Sequence, residues 1–184
     1  MTETTGPVLR SFQDPAQSRR KHLFLTGPKR IGKSTVLERL LQDREAKTGG
    51  FRTVRIPLED GASIHMVAPT ETTYTAENRI FFRRKGVLHI DPADFDRIGC
   101  SLLAGTGDCD LILMDELGPN EANSGKFRQA VWNTLDGEIS VYGVLQAADS
   151  DFLDAVAARP DVLVITVSEE NRDCLPRQLL ALGW

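Results

Sequence analysis

The stretch HLFLTGPKRIGKSTVLERL (22–40) joins a short apolar run to a glycine-containing loop and then to a helical pattern. The run HLFLT is typical of a buried strand because it is short, apolar and followed by turn residues. From Lys33 onward, apolar residues recur four positions apart, which predicts a helix with one apolar face. We expect Gly49-Gly50 to mark the end of this helical region. The sequence therefore predicts a strand, a turn and a helix in direct succession.

The loop itself, GPKRIGKS (27–34), has the spacing G-x-x-x-x-G-K-[ST] of a phosphate-binding loop. In such a loop the backbone N–H groups surround phosphates, and the glycines permit tight turns and a close approach. Lys33 would contact the β- and γ-phosphates, the Ser34 hydroxyl would coordinate Mg²⁺, and the helix N-terminus would face the same anion. The predicted nucleotide-binding residues are Gly27, Pro28, Lys29, Arg30, Ile31, Gly32, Lys33, Ser34 and Thr35.

A second apolar run, LILM (111–114), is followed directly by two carboxylates, Asp115 and Glu116. Because open α/β sheets bind ligands at the carboxyl ends of their strands, this position favours a site near the phosphate-binding loop. We predict that Asp115 holds Mg²⁺ through a water shared with Ser34. We also predict that Glu116 accepts a proton from the water that attacks the γ-phosphate. An acidic pair after a strand commonly opens a solvated loop, but beside a phosphate-binding loop the catalytic interpretation is favoured.

The rest of the chain alternates between apolar runs and amphipathic stretches. A hairpin is predicted over 51–68, and another strand or a hairpin within 74–90, broken at Lys85-Gly86. Further strands are predicted over 111–114, 139–146 and 162–167, and further helices from Asp91-Pro92, from a Ser124 cap, over 150–158 and over 173–182. This alternation predicts an α/β fold whose mostly parallel sheet is covered on both faces, with antiparallel strands at one edge.

Composition places the chain among ordinary globular proteins. It has 184 residues, 41% of them hydrophobic and 26% charged, and a net charge of −4. These values exclude wholesale disorder and argue against a surface that coats nucleic acid. We predict a flexible segment over 1–20 and one domain over 21–184, with no apolar run of the roughly 20 residues that span a membrane. Three cysteines without metal-ligand spacing fit a reducing cytoplasm, which is the predicted location.

Arginines outside these motifs are weaker candidates. Arg52 and Arg55 could reach phosphate from a strand, although solvated strand arginines are the more frequent case. A group of basic residues lies close to Lys85-Gly86. This group could form a lid, a phosphate clamp or a partner surface, and it could equally be the charge that protects a solvated edge strand. This basic cluster comprises Arg79, Arg83, Arg84 and Lys85.

The chain resembles the small P-loop nucleoside-triphosphatase family, also called the cancer-related nucleoside-triphosphatase family. The matching stretches are LFLTGPKRIGKSTVLERL (23–40), GGFRT (49–53), DLILMDELGP with FRQAV following (110–119, 127–131) and ENRDCLP (170–176). The resemblance implies a three-layer, RecA-like fold and Mg²⁺-dependent hydrolysis of ATP, GTP and other nucleoside triphosphates to the diphosphate and phosphate. It also implies that Arg52 and Arg172 lie near the nucleotide. Many relatives carry Pro-Gly where this loop has Lys29-Arg30, and the segment 59–90 is only loosely similar.

Three functions are compatible with the sequence. A nucleoside triphosphatase is favoured because Glu116 directly follows Asp115, and a hydrolase needs a group that activates water. A small nucleotide or nucleoside kinase could use the basic cluster as its lid. A nucleotide-dependent binding module could use slow hydrolysis as a timer for a partner protein, which the sequence does not identify. In each case ATP or GTP is the expected ligand and Mg²⁺ the expected cofactor.

Overall fold

The computed structural model describes residues 20–42 and 44–184, so the flexible segment predicted over 1–20 lies almost wholly outside the described residues. This part of the chain contains eight strands: β1 (His22–Thr26), β2 (Thr48–Leu58), β3 (Gly61–Val67), β4 (Arg79–Arg84), β5 (Val87–Ile90), β6 (Leu111–Leu117), β7 (Ser140–Leu145) and β8 (Val162–Thr166). It also contains the α-helices α1 (Lys33–Leu41), α2 (Pro92–Ala104), α3 (Gly125–Asp136), α4 (Asp151–Ala157) and α5 (Leu175–Ala181). Short 3₁₀ helices cover Ala76–Asn78 and Pro119–Asn123.

All eight strands form one sheet in the order β5-β4-β3-β2-β6-β7-β1-β8. Strands β2, β6, β7, β1 and β8 are mutually parallel and are called the parallel half below. Strands β3, β4 and β5 are antiparallel to their neighbours and are called the antiparallel extension. The predicted α/β fold, with a mostly parallel sheet and antiparallel strands at one edge, is therefore confirmed.

Helices cover both faces of the parallel half, as its continuous apolar strands predict. Leu23 and Leu25 of β1 belong to a core with residues of α1 and α5, whereas Phe24 belongs to the opposite core with residues of α2, α3 and α4. Successive strand residues point to opposite faces, which explains this division. No helix in residues 20–42 and 44–184 is long and apolar enough to cross a bilayer.

The predicted end of the first helix was wrong. Helix α1 ends at Leu41, and Gly49-Gly50 lies inside β2, where Thr48 pairs with Leu111 of β6. Gly50 has φ 87, and a Cβ there would lie 2.1 Å from the carbonyl oxygen of Leu113. The glycine is therefore required by the close approach of β2 to β6 rather than by a helix end.

Ser124 is the N-cap residue of α3, as predicted, but its side chain makes no capping hydrogen bond. The Ser124 hydroxyl donates a hydrogen bond to the carbonyl oxygen of Pro92 (3.1 Å) and makes no capping bond within α3. In contrast, the Asp91 side chain accepts a hydrogen bond from the backbone N–H of Ala93 and caps α2. Ser124 therefore links the start of α3 to the start of α2.

Candidate active site

The loop between β1 and α1 has the shape that its sequence predicts. Gly27 has φ 132, and a Cβ at this position would lie 2.5 Å from the carbonyl oxygen of Val167, which leaves space for glycine only. Arg30 also adopts a positive φ, 63, although it carries a side chain. These dihedral angles fold the loop back over the N-terminus of α1, where the free backbone N–H groups favour an anion.

Lys33 lies within the concavity of this loop. It is only 8% exposed, and its Nζ donates hydrogen bonds to the carbonyl oxygens of Gly27 and Pro28, each at 3.0 Å. These two contacts hold the ammonium group at the centre of the loop. A triphosphate bound by the loop would therefore meet a positive charge that is already in position.

The two predicted motifs meet in space. The Ser34 hydroxyl donates a hydrogen bond to Oδ1 of Asp115 at 3.1 Å, although 81 positions separate the two residues in the chain. Burial raises the pKa of Asp115 to about 6, and the hydrogen bond from Ser34 opposes that rise. A buried carboxyl beside a hydroxyl oxygen is an environment in which a cation would stabilise the charged form.

Glu116 is held by residues that the sequence analysis did not identify. Its Oε1 accepts a hydrogen bond from Nε2 of Gln146 at 2.7 Å. Its backbone N–H donates to the Thr53 hydroxyl at 3.4 Å. Gln146 directly follows β7, and Thr53 lies on β2, so both come from the strands that flank β6. A polar residue directly after an apolar strand was the available sequence signal for Gln146.

An open cleft of about 780 Å³ contains most of these groups. Asp115, Glu116 and Gln146 line it, together with Glu121 from the 3₁₀ helix that follows β6. The predicted nucleotide-binding residues in its wall are Lys29, Arg30, Gly32, Lys33, Ser34 and Thr35. The cleft continues over one face of the antiparallel extension, where Arg55, Ile64, Phe81, Arg83 and Leu88 line it. The loop and the acidic pair therefore share one solvent-accessible space.

The remaining predicted residues have different positions. Nη1 of Arg172 lies 3.5 Å from the carbonyl oxygen of Ile31, so Arg172 is beside the phosphate-binding loop. Arg52 instead donates from Nη2 to the carbonyl oxygen of Glu71 (2.7 Å) and to the Tyr74 hydroxyl (3.2 Å). Arg52 is thus directed toward the segment between β3 and β4, and it is not part of the cleft wall.

The basic cluster does not act as one surface. Arg83 lines the cleft, whereas Arg84 forms an ion pair with Asp60 (3.1 Å) and Arg79 lies over the ring of Phe82. Side chains alternate between the two faces of β4, which separates Arg83 from Arg84. A lid built from the whole cluster, as the kinase hypothesis requires, therefore has no support in this arrangement.

The donor set around Asp115 fits Mg²⁺. Mg²⁺ prefers oxygen ligands, and it is usually bound by one or two carboxylates together with waters and substrate phosphates. Asp115 and Ser34 supply a carboxylate and a hydroxyl oxygen at the floor of the cleft. Within residues 20–42 and 44–184, no group of three or more His, Cys, Asp or Glu side chains could hold a metal ion. Asp115 and Ser34 would hold Mg²⁺ together with waters and substrate phosphates.

The strand–loop–helix unit, with an acidic pair two strands away in a mostly parallel sheet, defines a P-loop nucleotide-binding protein. A family model described as "NTPase" matches residues 22–180, and the chain belongs to this family. It is 35% identical over 164 residues to a nucleoside-triphosphatase THEP1 of Methanosarcina barkeri, covering 85% of this chain and 94% of the relative. It is 31% identical over 171 residues to nucleoside-triphosphatase THEP1 of a Thermotoga species, covering 87% and 94%.

Two solved structures share the fold. THEP1 from Aquifex aeolicus superposes with a TM-score of 0.69 at 20% identity, covering 88% of this chain and 98% of that one. A human cancer-related nucleoside triphosphatase superposes with a TM-score of 0.63 at 23% identity, covering 89% and 97%. The family and the fold that the sequence motifs predict are thus confirmed.

Proposed function

We propose that this protein is a Mg²⁺-dependent nucleoside triphosphatase that hydrolyses ATP, GTP and other nucleoside triphosphates to the diphosphate and phosphate. The observation that carries the proposal is the 3.1 Å hydrogen bond between Ser34 and Asp115, because it joins the phosphate-binding loop to the acidic pair. The relatives named nucleoside-triphosphatase support the same activity. The basic cluster does not form the single lid that the kinase alternative would use, since it is divided between the two faces of β4.

Binding depends on the loop and on Lys33. The backbone N–H groups of residues 27–34 would surround the β- and γ-phosphates, and Lys33 would exchange its contacts with Gly27 and Pro28 for phosphate oxygens. Arg172 would add a positive charge beside the loop. Ser34 and Asp115 would hold Mg²⁺, which, when bound, neutralises charge on the phosphates. Recognition centred on phosphate predicts weak discrimination among bases.

Hydrolysis depends on Glu116. Its carboxylate lines the cleft and is oriented by Gln146, so it can accept a proton from a water at the γ-phosphate. The water oxygen bonds to the γ-phosphorus as the bond to the leaving diphosphate breaks, and the water proton passes to Glu116. We assign the metal role to Asp115 because its carboxyl contacts the Ser34 hydroxyl. We further propose that the protein acts in the cytoplasm, where these nucleotides are abundant.

The test is Glu116→Gln. Glutamine retains the size of the side chain and an oxygen that accepts from Gln146, but it cannot take a proton. We expect turnover to fall by about 10²–10⁴-fold, with nucleotide affinity unchanged. Phosphate release should be measured across ATP, GTP, CTP and UTP, each with Mg²⁺ and with a chelator. The matched control is Glu138→Gln, at an exposed position outside the cleft wall.

Each result has a defined meaning. Normal phosphate release by Glu116→Gln would remove Glu116 from the mechanism. Full activity in the chelator would contradict the metal role of Ser34 and Asp115. Transfer of the γ-phosphate to an added nucleoside or nucleotide, without release of free phosphate, would establish the kinase alternative.

A further inference from the structure

Glu121 is a buried acid in the wall of the cleft. It lies on the 3₁₀ helix Pro119–Asn123, which begins two residues after β6 ends. The residue is only 4% exposed, yet it lines the same cleft as Glu116 and Gln146. Its Oε2 is completely buried and has no hydrogen-bond partner among the described residues. A buried polar atom of this kind requires a water or a ligand as its partner.

The surroundings of Glu121 favour the protonated form of its carboxyl group. Burial is the main cause that raises its pKa, to about 8, and the negative charge of Glu116 acts in the same direction. The backbone N–H groups of Gly118 and Glu121 donate to the carboxyl group and oppose the shift. Helices α2, α3 and α4 pack against this 3₁₀ helix, and the charged group that raises the pKa is Glu116 on β6.

Oε2 is the oxygen of Glu121 that has no hydrogen-bond partner among the described residues. In the protonated form of the carboxyl group this oxygen would carry the proton and would be a hydrogen-bond donor that needs an acceptor. Glu116 has the complementary arrangement, because its Oε1 already accepts from Gln146 and its second oxygen is available to accept from a water.

We propose that Glu121 is a second catalytic residue, whose Oε2–H donates a hydrogen bond to the attacking water and orients it while Glu116 takes the water proton. The proposal rests on the nucleoside triphosphatase activity proposed above. The protons balance, because the water loses one proton to Glu116 and Glu121 keeps its own throughout. The water uses one lone pair to accept from Glu121 and the other to attack the γ-phosphorus.

Two substitutions separate this role from the alternatives. Glu121→Gln retains a neutral donor, since an amide N–H replaces the O–H, and we expect kcat close to that of the wild type. Glu121→Ala removes the donor, and we expect kcat to fall by about tenfold to a hundredfold with nucleotide affinity unchanged. Both are measured as phosphate release on the full chain with ATP and Mg²⁺, beside Glu116→Gln and the exposed control Glu138→Gln.

The pH profile supplies a readout that a purely structural role would not change. Above about pH 8 the wild-type Glu121 carboxyl loses its proton, so it no longer donates and it repels the anionic substrate. We therefore expect wild-type kcat to decline above this pH. The Glu121→Gln variant, whose side chain does not titrate, should lack this decline.

Several outcomes would overturn the proposal. A Glu121→Gln variant as inactive as Glu116→Gln would show that an ionised Glu121 is required. Wild-type kcat in Glu121→Ala, or a change confined to KM, would exclude the water-positioning role. If Glu121→Ala does not fold, the pH profile of Glu121→Gln decides instead. A decline of kcat above about pH 8 in this variant, equal to that of the wild type, would exclude the water-positioning role. If the wild type releases no phosphate, or if Glu116→Gln is fully active, the proposed function itself has failed.

Discussion

The parallel half and the antiparallel extension belong to one sheet but differ in burial and in chemistry. In the parallel half, four of the five residues of β1 are buried, and helices cover both faces. In the antiparallel extension, all four residues of β5 are exposed, including Val87 at 57%. The buried half carries the phosphate-binding loop and the acidic pair, whereas the extension contributes one wall of the cleft.

This difference shows where a catalytic geometry can be held. Lys33 lies on the helix that follows β1, and Glu116 lies on β6. Both strands have neighbouring strands on both sides and helices on both faces, so these side chains have few alternative conformations. The outer edge of the extension has neither kind of support. The edge strand β5 has a neighbour on one side only, and all four of its residues are exposed.

The prediction with the largest expected effect tests the difference in chemistry between the parallel half and the antiparallel extension. Lys33→Ala removes the ammonium group at the centre of the phosphate-binding loop, and we expect turnover to fall by about 10²–10³-fold together with nucleotide affinity. The matched control in the extension is Arg84→Ala, which breaks an exposed ion pair with Asp60 outside the cleft. Phosphate release and nucleotide titration measure both variants. Unchanged nucleotide affinity in Lys33→Ala would contradict the binding site.

The second prediction tests the difference in packing. Leu23→Ala in β1 removes a side chain that is 0% exposed, and we expect the free energy of unfolding to fall by about 2–5 kcal/mol. Leu88→Ala in β5 truncates the same side chain where it is 36% exposed, and we expect a loss below about 0.5 kcal/mol. Chemical denaturation followed by circular dichroism measures both. Equal losses would show that the extension is packed as tightly as the parallel half.

The smallest prediction concerns His22, a buried polar residue of the parallel half. Burial lowers its pKa to about 4, and the neutral ring donates from Nε2 to the Leu135 carbonyl and accepts at Nδ1 from the Val141 N–H. The unfolded chain binds a proton near the ordinary pKa of 6.5, so acid favours unfolding. The stabilisation by neutral His22 is complete above pH 6.5 and is lost as pH falls toward 4, by at most about 3 kcal/mol.

The prediction for His22 is checked by comparing the free energy of unfolding of the wild type with that of a variant at this position. The free energy of unfolding is measured between pH 4 and 8 for the wild type and for His22→Gln, which does not titrate. The contributions of other groups that titrate in this range are the same in both proteins, so they cancel in the difference. We expect the advantage of the wild type over the variant to shrink as pH falls. A constant difference would show that the pKa of His22 is the same in the folded and the unfolded protein.

Much of the fold follows from local patterns. The strand–loop–helix unit, the hairpin over 51–68 and the alternation of the last third depend on residues close together in the chain, and the structure confirms them. For the segment 74–90, where a strand or a hairpin was predicted, the structure has the hairpin of β4 and β5. The family and the nucleoside-triphosphatase function predicted from the motifs are confirmed as well. The predicted roles of Lys33, Ser34, Asp115, Glu116 and the other site residues stay predictions, with geometry that supports them.

The misplaced helix end has a tertiary cause. Gly49-Gly50 looked like a helix end because glycine commonly follows helices. In the folded chain the pair lies in β2, and Gly50 is required by the approach of the Leu113 backbone on β6. Such a requirement is invisible to any local pattern, because it depends on which strand becomes the neighbour.

The phosphate-binding loop, the acidic pair and the alternation of strands and helices can be recognised in the amino-acid sequence, since each depends on spacing within a short stretch. The strand order cannot be recognised there: β7 lies between β1 and β6, which places Gln146 against Glu116. The burial of Glu121 in the cleft wall and the division of the basic cluster between two faces also become visible only in the folded chain. These contacts join residues that are far apart in the chain, so they depend on how the strands and helices pack together.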